Sequence, residues 1–184
     1  MLRDDSFLAQ RGNYRCLITF QKAECIYDIT FHFAHRFLEK GDRTVDQMVQ
    51  AARSGKQNIV EGASASATSK ETEIKLMNVA KASMHELLVD FEDYLRVRQL
   101  RQWQKGEPKF EQTRCYCTSH NSSADFRDKL PDRNDETIAN IAIILIRQLD
   151  YLLFKQIETL KKAFLESGGI KEEMSRARRK VRGY

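Results

Sequence analysis

The chain has 184 residues and a mass of 21.5 kDa, about one domain, long enough to fold around its own core without disulfides or metals. Hydrophobic residues make up 41% and charged ones 31%, and mean hydropathy is −0.58, so a soluble body with a highly charged exterior is expected. Two prolines and eight glycines are too few turn formers for a sandwich or barrel of many short strands, which leaves an all-α chain.

Residues 1–12 read as an N-terminal arm, and the polar opening Met1-Leu-Arg-Asp-Asp5 does not resemble a secretory signal. The first helical segment runs from about Tyr14 to Glu39, with Phe20, Ala23, Tyr27, Thr30, Ala34 and Phe37 as its apolar seam. Lys40-Gly41-Asp42 ends it, and Thr44-Val-Asp-Gln47 reads as the capping box of the second segment. So short a connection predicts an antiparallel pair. The second segment buries Val45, Met48, Val49, Ala52, Ile59 and Ala63, and Thr68-Ser-Lys-Glu71 caps a third that carries Met77, Ala80, Met84, Leu87, Phe91 and Tyr94 as far as about Trp103.

Periodicity fails over 105–134, which holds both prolines, and a long loop is expected there. A fourth helix follows Asn134, with Ile138, Ala142, Leu145, Leu149 and Leu152 inward, extended by Leu160 and Phe164. Its longest charge-free apolar run, Ile138 to Ile146, is about half the length a bilayer requires, so no membrane span is expected and the cytoplasm is the default compartment. Ala139, Ile143, Ile146 and Phe154 fall on the opposite face. An apolar patch there predicts self-association, unless the 105–134 segment folds back over it.

Gly168-Gly169 ends the fourth helix and opens a basic tail, 168–184. There Lys171, Arg176, Arg178, Arg179, Lys180 and Arg182 stand against Glu172 and Glu173, so the tail holds +4 of the net +5 and the body is nearly balanced. Such a tail can pair with phosphates or simply be solvated.

Catalytic and metal signals are weak. Cys115, Cys117 and His120 offer three ligands where a structural zinc wants four, and four cysteines in all suggest reduced thiols. Asp28, His32, His35 and Glu39 share one face of the first helix, but no Glu-x-x-His accompanies them, so a polar or solvated face is the plainer reading. No nucleotide-binding glycine motif, Gly-x-Ser-x-Gly or His-Glu-x-x-His is present. A non-enzymatic protein without cofactor or metal is expected. A glycine late in a helix points to close approach, so Asn58, Glu61 and Gly62 are expected to form a polar tie between the second and third segments, with Arg53 or Lys70 answering Glu61.

The stretch Met48 to Gly62, then Ser69-Lys-Glu71, then Asn78 to Leu87 carries a further signal, above all in Arg53, Ser54, Asn58, Ile59, Glu61, Gly62, Ser69, Lys70, Ala80, Ser83, Glu86 and Leu87. It resembles the bacterial four-helix-bundle proteins related to those encoded by intervening sequences in 23S ribosomal RNA genes. That group includes the accessory variability protein of diversity-generating retroelements, and the resemblance is to its suffix-domain variant. The resemblance implies an up-down-up-down four-helix bundle over 13–167 that assembles into a ring, typically a pentamer. In some members the bundle binds nucleic acid or a reverse transcriptase through basic surfaces. The expected function is thus a ring-forming adaptor associated with DNA, RNA or a nucleic-acid-processing protein encoded nearby. Arg176, Arg178, Arg179, Lys180 and Arg182 would supply phosphate contacts, with Arg53, Lys56 and Lys70 extending the path. The alternative is a protein-protein interaction module that binds no nucleic acid.

Overall fold

The structure is a computed structural model that describes residues 13–66 and 68–182; the arm expected over 1–12 lies outside them. Among the described residues the chain is all-α, without strands: a 3-10 turn, Tyr14–Cys16, precedes α1 (Ile18–Phe37), α2 (Arg43–Ala65), α3 (Lys70–Val97), α4 (Pro108–Ser119), α5 (Ser123–Arg127), α6 (Asp135–Ser167) and α7 (Ile170–Arg182). The four long helices touch in cyclic order, α1 on α2, α2 on α3, α3 on α6 and α6 back on α1.

Local chemistry sets the helix ends, often one or two residues from where the sequence patterns put them. Asp42, not Thr44, caps α2, its side chain accepting from Thr44 N–H at 2.8 Å, and Ser69, not Thr68, caps α3 through Thr72 N–H at 3.1 Å. Asn134 caps α6 as expected, accepting from Thr137 N–H at 3.0 Å. The third helix stops at Val97, short of Trp103. Gln99 takes a left-handed φ of 56°, and the Leu100 and Gln99 N–H groups turn back to the Leu95 and Arg96 carbonyls at 2.9 and 3.2 Å, satisfying acceptors that the helix end would otherwise orphan.

The core is continuous through the four long helices. Phe33 of α1 meets the rings of Phe91 and Tyr94 of α3 edge-on, centroids 5.0 and 4.7 Å apart, and the Tyr94 hydroxyl donates to Asp135 at the start of α6 at 2.9 Å. On α1 the buried set includes Cys25, Ile26, Ile29 and Phe33 as well as Phe20, Ala23, Thr30 and Ala34 of the expected seam, because α2, α6 and α5 all pack on this helix, while Tyr27 and Phe37 are only half-buried. Leu153 and Ile157, rather than Leu152, carry the α6 core onward.

Between α2 and α3 the polar tie differs from the one expected. Asn58 donates to the Ser54 carbonyl and hydroxyl, at 2.8 and 3.3 Å, and Ser54 meets Ser83 of α3 hydroxyl to hydroxyl at 3.0 Å. Glu61 is exposed and takes no part: its position on α2 faces solvent, where a carboxylate keeps its hydration. Gly62 serves the approach itself, since a Cβ there would stand 3.0 Å from the Met77 methyl and 3.6 Å from the Glu73 carbonyl oxygen.

The 105–134 segment is not a loop. Pro108 sits at the first position of α4, where its missing N–H costs nothing, and a capping box of Ser122 and Asp125 starts α5. Both helices fold back on the body, α4 on α6 and α5 on α1. Asn140, a polar residue 2% exposed within the apolar run of α6, clamps the connection ahead of α4: it accepts from Trp103 N–H at 2.8 Å and donates to the Arg101 carbonyl at 2.9 Å. Buried Lys22 of α1 donates to the Cys117 carbonyl in the last turn of α4, an acceptor with no partner inside its own helix.

Packing within the chain corrects the expected oligomer interface. Ala139, Ile143 and Ile146 are 0%, 2% and 1% exposed, covered by the chain itself because α6 is packed by α1, α3 and α4. Only Phe154 of the four is exposed. α6 is long and apolar enough to cross a membrane by length and composition, and 56% of its most apolar stretch is buried inside the molecule.

Candidate nucleic-acid interface

α1 leaves one face open to solvent. Tyr27, Phe31 and His35 follow one another at four-residue steps and so form a column along the helix. Tyr27 and Phe31 have ring centroids 6.3 Å apart, and Phe31 and His35 4.2 Å apart with planes 32° from parallel. Phe31 is 47% exposed, an unusual state for a phenylalanine on a helix whose other faces are buried. The His35 ring is held in place by its Nδ1, 2.8 Å from the Phe31 carbonyl oxygen.

Cations stand on both sides of this column. Lys56 of α2 places its ammonium 4.0 Å from the Tyr27 ring centroid, a cation-π contact that joins the two helices. On the other side α5 brings Arg127 to the hollow that Tyr27, Phe31, His32, His35 and Arg36 line, with a volume of about 550 Å³. A second hollow of about 550 Å³ shares Asp28 and Arg127 with it and continues toward Arg15, so the two make one groove along α1. Among the described residues Arg127 is tied only to exposed Asp128, at 3.9 Å, a separation at which an exposed pair contributes little.

Two polar groups lie in the groove. Asp28 accepts a hydrogen bond from the Ser123 hydroxyl, which fastens α5 to α1. His32 has a buried Nε2 without a hydrogen-bond partner, and burial first, then neighbouring Arg36, hold its imidazole below the ordinary value. The polar face expected from Asp28, His32, His35 and Glu39 is therefore partly the floor of a groove, with Glu39 exposed beyond α1.

The basic residues expected to contact phosphate fall into separate groups. Arg53 and Lys56 lie one turn apart on α2, with Lys56 at the edge of the column. Lys70 opens α3, past the end of α2, and its charge acts on the buried Glu73 carboxyl, which burial pushes above the ordinary value. Arg176, Arg178, Arg179 and Arg182 are exposed on α7, whose Met174 and Ala177 are half-buried, so the tail is an amphipathic helix. The Lys180 side chain lies outside the described residues. α7 leaves from the α1 N-terminal end of the molecule, where Thr19 donates to Gln156 of α6 at 3.1 Å.

Sequence reasoning missed Phe31, Arg36 and Arg127 and placed Tyr27 in the core. The available signal was the aromatic spacing Tyr27, Phe31, His35; that Arg127 joins it depends on α5 docking, which no local pattern encodes. Cys115 and Cys117 stand two residues apart on α4, one exposed and one buried, so they project to opposite sides of the helix and cannot share one ion. Burial pushes the Cys25 and Cys117 thiols up to about 12, which keeps both protonated and unreactive at neutral pH. Comparison with protein-family models, with curated proteins and with solved structures finds no match to this chain.

Proposed function

We propose that this chain is a non-enzymatic nucleic-acid-associated protein that engages an unpaired strand along the α1 groove and holds its phosphates through α7. The observation that carries the reading is the open Tyr27-Phe31-His35 column with Lys56 on one side and Arg127 on the other. Unpaired bases stack on aromatic faces while cations track the backbone, and the four exposed α7 arginines supply the larger share of charge. The cyclic helix contacts support an up-down-up-down four-helix bundle as the scaffold. The likeness to the 23S rRNA intervening-sequence proteins rests on the α2 and α3 residues named above.

Fluorescence anisotropy on a 20-nucleotide single strand, titrated at several salt concentrations, tests this. Phe31→Ala should weaken binding about 10- to 100-fold without changing the salt dependence. Replacing Arg176, Arg178, Arg179 and Arg182 together by Gln should flatten the log-log salt slope, by up to about 3. Absence of binding at low salt, or two variants that bind as the parent does, would refute the reading.

Exposed Tyr151 and Phe154, three residues apart on α6, favour a second reading as a protein-protein interaction module. That reading gains if the parent chain binds no nucleic acid.

A further inference from the structure

Across Leu130, which also lines the α1 groove, the fold-back of α4 and α5 forms a separate cavity of about 280 Å³ against the start of α6. Its floor is aromatic and apolar, with Trp103 6% exposed, Phe126 and Leu130 buried and Tyr116 along one side, while polar side chains of α4 and of the start of α6 line the rest. These walls are held from behind. Asn140 grips the Trp103 N–H at 2.8 Å, and the Tyr116 hydroxyl donates to the Asp125 carbonyl at 2.9 Å while accepting from Lys129 at 2.7 Å. With the Trp103 backbone and the Tyr116 hydroxyl both held by hydrogen bonds, the cavity is preformed, and a ligand spends less binding energy to organise it.

Charge at the rim is one-sided. Arg133 lines the cavity, is exposed, and its guanidinium has no hydrogen-bond or ion-pair partner among the described residues. Lys129, already bonded to Tyr116, adds a second cation. The acidic residue at the site, Asp125, turns its carboxylate to the Ser122 N–H at 3.2 Å as the cap of α5. Aromatic walls with an unengaged guanidinium at the mouth match a flat ring that carries a carboxylate, since guanidinium binds carboxylate through two parallel hydrogen bonds. The volume is near the lower end of small-molecule sites, which run from about 300 Å³ upward, and suits a single aryl ring with a short acidic arm.

We infer that the Trp103-Tyr116-Phe126 cavity is a binding site for a small aromatic carboxylate, with Arg133 as its carboxylate anchor. The site is independent of nucleic-acid binding and stands or falls apart from it.

Trp103 is the sole tryptophan of the chain, so its emission on excitation at about 295 nm reports occupancy of this cavity directly. The full chain is titrated with 3-phenylpropionate and with the neutral 3-phenylpropan-1-ol, which differ in charge and little in shape, and calorimetry is run alongside to register binding that leaves the fluorophore unchanged. The acid should bind saturably and at least about tenfold more tightly than the alcohol, and Arg133→Gln, at an exposed position, should reduce the acid to the affinity of the alcohol. Three results would overturn the assignment: no saturable signal by either method up to about 10 mM, equal affinities for acid and alcohol, or an Arg133→Gln variant that keeps the preference for the acid.

Discussion

Lys22 is the most exacting single residue in this molecule. It is 3% exposed, lies between the Cys25 and Cys117 thiols, and has a peptide carbonyl rather than a carboxylate as its partner. Burial holds its ammonium below the ordinary value of 10.5, so the folded chain gives up this proton at a pH where the unfolded chain still binds it. Folding is penalised at this site while both forms are charged, and the penalty fades as pH rises from the lowered folded-state value toward 10.5. The two thiols act in the opposite sense above about pH 9, because burial raises them, and since the Lys22 charge partly offsets that rise, a variant without it raises them further. Denaturant unfolding of Lys22→Met and its parent, both in a background with Cys25 and Cys117 replaced by Ala, at pH 7 and at about pH 9.5 isolates the lysine. Relative to the variant, the parent should gain stability at the higher pH; parallel changes in the two proteins would show that Lys22 is not held in the strained charged form.

At the scale of elements, the α2–α3 contact shows how small residues set a helix-helix distance. A Cβ on Gly55 would stand 2.4, 3.1 and 3.3 Å from the Cε, Cγ and Sδ of buried Met84, so most of that side chain would have to move. At Gly62 the nearest atom is the Met77 methyl at 3.0 Å, the movable end of a flexible side chain. Alanine gains about 1 kcal/mol over glycine within a helix, while overpacking a core costs about 1–3 kcal/mol. Gly62→Ala should therefore come out near neutral and Gly55→Ala net destabilising by about 1 kcal/mol, as read by chemical denaturation. A Gly55→Ala protein more stable than its parent would mean that the helices are farther apart than described. The same contact shows what element-level patterns miss: Thr68 has the capping-box spacing to Glu71 and Ser69 does not, yet Ser69 caps α3, because the backbone path and not the motif selects the cap.

For the whole molecule, the decisive feature is that α6 has three neighbours instead of two. In a bundle of four helices each has two; here α4 docks as a third on the Gln148 side of α6, where Gln148 donates to the Arg114 carbonyl and the Thr118 hydroxyl, while Arg147 and Asp150, which flank Ile143 on the helix surface, pair with Glu92 and Lys81 of α3. Ile143 is then a core residue and Phe154 a surface one, 2% and 48% exposed. Ile143→Asp should cost at least about 3 kcal/mol, lowering Tm by about 6–12 °C at any protein concentration, whereas Phe154→Asp should stay within about 0.5 kcal/mol of the parent. A concentration-dependent loss of stability in Ile143→Asp would instead return that face to an interface between copies.

The sequence alone determined the helical class, the four long helices and most of their buried residues, because a 3.6-residue apolar period is local and survives any packing. It also determined where charge collects, since Arg176 to Arg182 are consecutive enough to be read as a block. Only the tertiary structure decided that 105–134 forms two helices, since α4 buries just Cys117 and so leaves almost no periodic trace. It alone placed Arg127 beside Phe31, Arg133 at the mouth of the Trp103 cavity and α4 against Gln148. Each of these joins positions far apart in the chain, and their proximity comes from the docking of one element on another rather than from any property of the segments themselves.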